Sequence, residues 1–324
     1  MPICTTCTYF TPYLYTVYQS ANNLRLEQCS KCQSFADPYV EHDSLTLLLD
    51  LILLKRGVYR HLLYNRGTEP RRALGGGGDQ KENGATSTEV LNSNREKERW
   101  LHILKLGGTL VLLDAFIRWS YLNPDQPTGI SPWTKNTFDS IFRVFLGCFA
   151  ETLAFHSSIM ATCWVVQTFI EWAQKLRQRG APQLESDIKR EFRFSLIPLT
   201  LFYSSLTKLF LLFLLTIWRP TSTPTQNPTT PSLWDGTMTP SQYLTRAYEI
   251  LDDDKIDREW VIRNVLGGMS AGFGLRVILD THPIFTSIII LVGWKLKTVV
   301  SGLVSSWVGG DDMAREAWRA YSIP

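Results

Sequence analysis

The sequence predicts a mainly α membrane protein, in which a small zinc-ribbon-like β domain and a short amphipathic helix precede a multispanning helical bundle. Two Cys-x-x-Cys pairs stand before residue 33, a Leu-rich run with a basic sequel follows them, and long apolar stretches dominate from residue 103 onward. The near-zero mean hydropathy of the whole chain averages over these polar and apolar blocks and hides them. A formal charge of +3 on 324 residues is too small for a general polyanion binder, so partners must be sought in local patches.

Four of the six cysteines, Cys4, Cys7, Cys29 and Cys32, form the two close pairs, with about 21 residues between them. That spacing lets each turn present two thiolates to one side of a metal, while the intervening hairpin brings the second turn opposite. It predicts a tetrahedral structural Zn site. Four protein ligands leave no position for water, so the metal would supply folding energy to a segment too short to build its own core. Two redox dithiols are the competing reading, which a cytosolic placement disfavours. A nucleic-acid-reading ribbon is disfavoured by charge: residues 1–43 hold Arg25 and Lys31 against Glu27, Asp37, Glu41 and Asp43. Cys4 and Cys7 stand where the charged and apolar runs of a secretory signal would lie, so this domain is expected in the cytosol.

The apolar run from Leu45 to Leu54 is about ten residues, half of what a bilayer requires. It predicts a helix over 45–64 that either lies at the membrane interface or simply caps the zinc domain. On the interfacial reading Lys55, Arg56, Tyr59, Arg60 and His61, with Arg66 beyond, stand where lipid or headgroup contact is expected. These elements make up a first domain over residues 1–66. Residues 67–100, rich in Gly, Ser, Asn and charge and without periodicity, predict a flexible linker.

Residues 101–219 are expected to hold three transmembrane helices, at 103–122, 141–169 and 194–218. A Pro/Thr-rich connector over 220–260 follows, and its Asn227 precedes Pro228 and so is no glycosylation acceptor. Within 261–324, the stretches 261–281 and 284–308 are apolar but interrupted by Gly, Arg276, Asp280, His282, Lys295 and Lys297, which predicts one or two further membrane-associated helices. Basic residues set the orientation. Arg95, Lys97, Arg99 and Lys105 surround the start of the first span, and Lys175, Arg177, Arg179, Lys189, Arg190 and Arg193 separate the second from the third. Both segments are expected on the cytosolic side, in agreement with the placement of the thiols.

Asp114, Arg118, Glu151, His156 and Lys208 lie inside the spans, where ionisable groups are expensive and are functional candidates. Counted from the lumenal ends of antiparallel helices, Asp114, Glu151 and Lys208 share one depth, which predicts an intramembrane polar cluster of these three. The alternative is that they neutralise one another and fix helix packing. Asp114 and Arg118 are also four apart and can pair locally. Cys148 and Cys163 are expected as small packing residues.

The order MPICTTC, LRLEQCSKCQSFADPYVEHD and LTLLLDLILLKRGVYRHLLYNR, followed by a multispanning tail, closely resembles the Arv family of endoplasmic-reticulum lipid-homeostasis proteins. The resemblance is strong over residues 1–66 and general thereafter. It implies a multi-pass protein of the endoplasmic reticulum membrane engaged in sterol movement, sphingolipid balance and handling of glycosylphosphatidylinositol intermediates, with zinc ligands at Cys4, Cys7, Cys29 and Cys32. The expected partners are membrane lipids: sterol, sphingolipid or glycosylphosphatidylinositol precursors. A non-catalytic scaffold for a glycosyltransferase complex is the alternative role. An enzyme using Asp114, Glu151 and His156 ranks last, because no nucleophile-base pair, phosphate-cradling loop or open metal site is recognisable, and no catalysis is expected.

Overall fold

The computed structural model describes residues 2–18, 23–72, 85–122, 135–177, 187–217, 261–279 and 281–308, with Arg315 and Trp318. Near the N-terminus β1 (Tyr15–Val17) and β2 (Leu24–Leu26) form an antiparallel hairpin, and β3 (Arg71–Arg72) joins β1 in parallel, giving the order β2-β1-β3. Strands this short do not hold a sheet by themselves. The flanking loops supply the order, and they repeat one design: Cys4 N–H donates to Tyr9 O and Thr8 N–H to Cys4 O, while Cys29 N–H donates to Ser34 O and Gln33 N–H to Cys29 O. Ile3 bridges Phe10 in the first turn just as Gln28 bridges Phe35 in the second. Thr8 and Gln33, the equivalent fifth residues, both adopt the left-handed conformation, at φ 65 and 61. The two Cys-x-x-Cys texts thus fold as two copies of one metal-type knuckle, with the predicted hairpin between them.

Asp37 and Asp43 then start two helical turns by side-chain capping. Asp37 accepts from Tyr39 N–H ahead of a short 3-10 turn at Pro38–Glu41, and Asp43 accepts from Thr46 N–H ahead of α1 (Ser44–Ile52). The sequence predicts one helix over 45–64, and here the structure differs. Leu54 takes a left-handed conformation at φ 57, Lys55 N–H donates to Asp50 O, and Leu54 N–H donates to Leu51 O. That is a Schellman stop with leucine where glycine is usual. The chain turns and resumes as α2 (Arg56–Arg60) and a π turn at His61–Asn65. Gly57 permits this turn to close, because a Cβ there would come within 2.7 Å of the Tyr39 ring.

The bundle consists of α3 (Ala85–Leu122), α4 (Lys135–Arg177), the short α5 (Asp187–Glu191), α6 (Leu196–Ile217), α7 (Gly267–Leu279) and α8 (Pro283–Val308). Among the described residues four stretches are long and apolar enough to cross a membrane: Arg95–Ser120, Phe138–Leu176, Leu196–Leu215 and Pro283–Val308. The three spans expected over 101–219 are therefore joined by a fourth at the second of the two interrupted stretches. The first of those, 261–281, contributes a π turn at Ile262–Leu266 that runs without a break into α7. It lies inside the bundle, with Gly268, Ser270, Ala271, Gly274, Leu275 and Ile278 buried. Gly268 admits the Trp294 ring of α8 to a place where a Cβ would stand 2.2 Å from it. The linker expected over 67–100 is shorter than its composition suggests, since β3 and the first turns of α3 fall within it. The Pro/Thr connector expected over 220–260 lies outside the described residues.

The N-terminal domain is docked on the bundle. Thr207 of α6 donates its hydroxyl to Ile52 O at the end of α1, Tyr59 meets the Phe273 ring of α7 edge-on at 5.8 Å, and Arg95 of α3 donates to Tyr64 O. Thr207 lies roughly 17 Å along α6 from Leu196, so the end of α1 sits beside the middle of a span. One apolar core accordingly runs from Ile3, Leu51, Val58 and Leu63 into Leu196, Ile197, Leu275 and Ile278.

Candidate functional site

The two knuckles bring all four cysteine sulfurs within 4.8 Å of one another. Cys4 Sγ lies 3.7 Å from Cys32 Sγ, and Cys7 Sγ lies 3.5 Å from Cys29 Sγ. A tetrahedron with metal–sulfur bonds of about 2.3 Å has edges of about 3.8 Å, so the quartet fits a four-thiolate metal site. None of the four cysteines is in a disulfide. Burial pushes the Cys7 thiol up to about 12 and raises Cys4, whereas the Ser34 backbone hydrogen bond lowers Cys32 to about 7. Metal capture must therefore displace protons, and acidification will weaken it.

Helix α2 and the π turn grip the first knuckle from behind. Arg60 Nη1 donates to Thr5 O at 2.8 Å and Thr6 O at 2.9 Å, the two carbonyls between Cys4 and Cys7. Asn65 reads both backbone groups of Ile3, its Oδ1 accepting from Ile3 N–H at 2.9 Å and its Nδ2 donating to Ile3 O at 2.8 Å. The fully buried Asp37 ties the assembly together, with Oδ2 at 2.7 Å from both His61 Nδ1 and Asn65 Nδ2. Three of the five residues expected to touch headgroups are thus reassigned. Arg60 and His61 are spent on this clamp, and Tyr59 is fully buried against α7. Lys55 and Arg56 are exposed, Lys55 pairing with Asp50 at 2.7 Å. Replacing Asn65 by alanine removes three buried hydrogen bonds, and we expect a loss of about 2–3 kcal/mol in the stability of the N-terminal domain with the metal retained, read by denaturant unfolding and metal content of the full chain.

The Leu-rich helix keeps the amphipathic character predicted for it. Asp50 and Leu51 face inward, while Leu45, Leu48, Leu49 and Leu53 are exposed, Leu53 at 67%. An apolar face of this kind beside a span is suited to acyl chains.

In the bundle the structure brings Asp114 and Glu151 together through Arg118, which donates from Nη2 to Asp114 Oδ2 at 2.9 Å and from Nη1 to Glu151 Oε2 at 2.8 Å. The local Asp114–Arg118 pair expected from their spacing is present. Lys208 lines the same cavity but makes no ion pair among the described residues, so it joins the cluster by proximity and not by direct pairing. The cavity measures about 130 Å³, and His156, Arg263 and Lys297 also line it. Trp318 is buried over Arg118, its ring 5.1 Å from the guanidinium, and packs with Val111, Ala115, Val144 and Cys148. Cys148 and Cys163 are both buried among apolar side chains.

Sequence reasoning missed the clamp residues Asp37 and Asn65, the inward role of Lys297, and Trp318. Lys297 carried a signal: Ile290, Gly293, Trp294, Lys297, Ser301 and Ser305 follow each other at helical spacing, and the other five are buried or half-buried with it, whereas Lys295 is exposed.

The family described as Arv1-like matches residues 3–229 of the chain. The chain is 32% identical over 119 residues to Protein ARV1 of Candida albicans, covering 36% of this chain and 38% of that protein. It is 49% identical over 63 residues to Protein ARV1 of Saccharomyces cerevisiae, covering 19% of each, and 26% identical over 168 residues to Protein ARV1 of Mus musculus, covering 51% and 50%. The chain therefore spans from about a fifth to half the length of the curated relatives it matches. No solved structure matches it.

Proposed function

Because the chain belongs to the Arv1-like family, whose match covers residues 3–229, we propose that it serves intracellular lipid homeostasis by moving and distributing sterol from the endoplasmic reticulum membrane. Effects on sphingolipid balance and on glycosylphosphatidylinositol intermediates belong to the same reading. In it the chain is not an enzyme. The four cysteines hold structural zinc, the N-terminal domain faces the cytosol, and the zinc-bearing knuckles form a rigid foot for α1.

The observation that carries this reading is the exposed leucine face of α1, fixed beside the middle of a span by the Thr207–Ile52 hydrogen bond. A helix held there by protein on one side turns its four exposed leucines to the acyl chains or to a sterol on the other. Full-length protein reconstituted in vesicles is expected to speed sterol transfer between donor and acceptor membranes. Leu48→Ser with Leu49→Ser should lower that rate several-fold, since each removes on the order of 1.5 kcal/mol of apolar contact, with metal content unchanged. Unaltered transfer, together with copurification of a glycosyltransferase complex, would move the weight to the scaffold reading.

A further inference from the structure

We propose that the cavity lined by α3, α4, α6, α8 and α7 with the π turn before it binds the monoanionic phosphodiester of a lipid headgroup. The inference rests on the lipid-handling reading only in taking the anion to belong to a lipid. Family membership does not imply the site, because Arg263 and Lys297 lie beyond residue 229, where the family match ends.

Charge is the first argument. Arg118, Lys208 and Lys297 bring three positive charges to this space, and Asp114 and Glu151 bring two negative ones, before Arg263 on the same wall is counted. Both carboxylates are engaged by Arg118, whose open face is covered by Trp318. Lys208 and Lys297 therefore face the cavity with no carboxylate at ion-pair distance among the described residues. An ammonium left so within a span is expensive, and one phosphodiester would balance the charges of Arg118, Lys208, Lys297, Asp114 and Glu151. Lysine ammoniums, each with three rotatable donors, suit an anion that offers several oxygens in different directions.

Size and hydrogen bonding narrow the ligand. About 130 Å³ is close to the volume of an engineered cavity that holds benzene, enough for a phosphodiester with its first linked atoms and too small for a lipid. The acyl chains must leave between the helices into the bilayer. His156 Nδ1 lies 2.8 Å from Thr152 O and must donate to it, which leaves Nε2 as a buried acceptor with no partner among the described residues. A headgroup bearing hydroxyls satisfies it, and phosphatidylglycerol is the simplest such probe.

The test uses the full chain in detergent and reads lipid binding by native mass spectrometry, with phosphatidylglycerol, phosphatidylcholine of the same acyl chains, oleate and inorganic phosphate. Phosphatidylglycerol is expected to bind about tenfold more tightly than phosphatidylcholine. Lys208→Gln and Lys297→Gln should each weaken it about tenfold, while Lys208→Arg and Lys297→Arg keep it within about threefold. A thermal melt of each variant identifies any that fails to fold, and the arginine pair then carries the test by keeping charge in place of lysine. Equal phosphatidylglycerol binding by wild type and the folded glutamine variants overturns the proposal. So does tight lysine-dependent binding of inorganic phosphate alone, which would assign a free anion, or of oleate on a par with phosphatidylglycerol. Sterol transfer measured on the same proteins separates the two readings. Lysine-independent phosphatidylglycerol binding with intact transfer sinks only this site, and lysine-dependent binding without any sterol transfer in the wild type sinks only the sterol role.

Discussion

If the four cysteines hold structural zinc as proposed, chelating it from the full-length protein, or replacing Cys29 by serine, is expected to unfold the knuckle region while leaving the spans helical. The hairpin strands are three residues each, and the inner wall of the region is the sulfur quartet itself. Among the described residues little apolar burial holds the second knuckle: Cys29, Ala36 and Leu14 are buried, but Phe35 is 52% exposed and Leu24 and Leu26 are only half-buried. A structural zinc contributes on the order of 10–16 kcal/mol in peptides of this kind, far more than a segment of this size can recover from packing. Hydrogen exchange should show protection of Cys4, Thr5, Cys29 and Ala36 amides in the metal-bound protein, since each donates a backbone hydrogen bond within the knuckles, and its loss on chelation. Protection that survives complete metal removal would mean that the clamp from Arg60 and Asn65 alone maintains the fold.

Arg118→Met should be the most damaging single change in the bundle. It leaves Asp114 and the fully buried Glu151 facing one another without the cation between them, and takes away the ring contact with Trp318. Breaking a buried ion pair from one side costs about 3–5 kcal/mol, much of it the penalty of the stranded charge. Adding Asp114→Asn and Glu151→Gln to Arg118→Met should therefore recover most of the loss. Thermal unfolding in detergent of the single and triple variants decides the matter, and a single variant that melts with the wild type would show that water already solvates the carboxylates.

The parts legible in the sequence are those whose pattern is local. Cys-x-x-Cys twice at the right separation could be read as two knuckles and a hairpin, and the Leu/Phe run of α6 as a span, because each signal lies within a few residues of its consequence. The break at Leu54 was not legible: no glycine or proline marks it, and it arises because Asp50 and Leu51 carbonyls capture the next two amides while the chain turns to place Tyr59 against α7. The headgroup assignment of Arg60 and His61 failed for a related reason. Basic residues after a Leu-rich run look alike whether they meet phosphates or backbone carbonyls, and only the fold shows Thr5 and Thr6 carbonyls and Asp37 waiting for them. Asp114 and Lys208 line one cavity and Glu151 reaches it through Arg118, because helix rotation, which depth along antiparallel helices does not determine, gave the bridging place to Arg118.

The hydrogen bond from Thr207 to Ile52 joins residues 155 apart in the chain. During synthesis at about 5–20 residues per second, the surface that receives α1 therefore leaves the ribosome roughly 8–30 s after α1 does. For that interval the apolar sides of Val58, Tyr59 and Leu63 have no α6 or α7 to cover them, although every cysteine ligand is already available. On the structural-zinc reading a two-step order of biogenesis is expected: the four cysteines can capture metal before α6 and α7 exist, and the docking face of the foot is covered only when those helices follow.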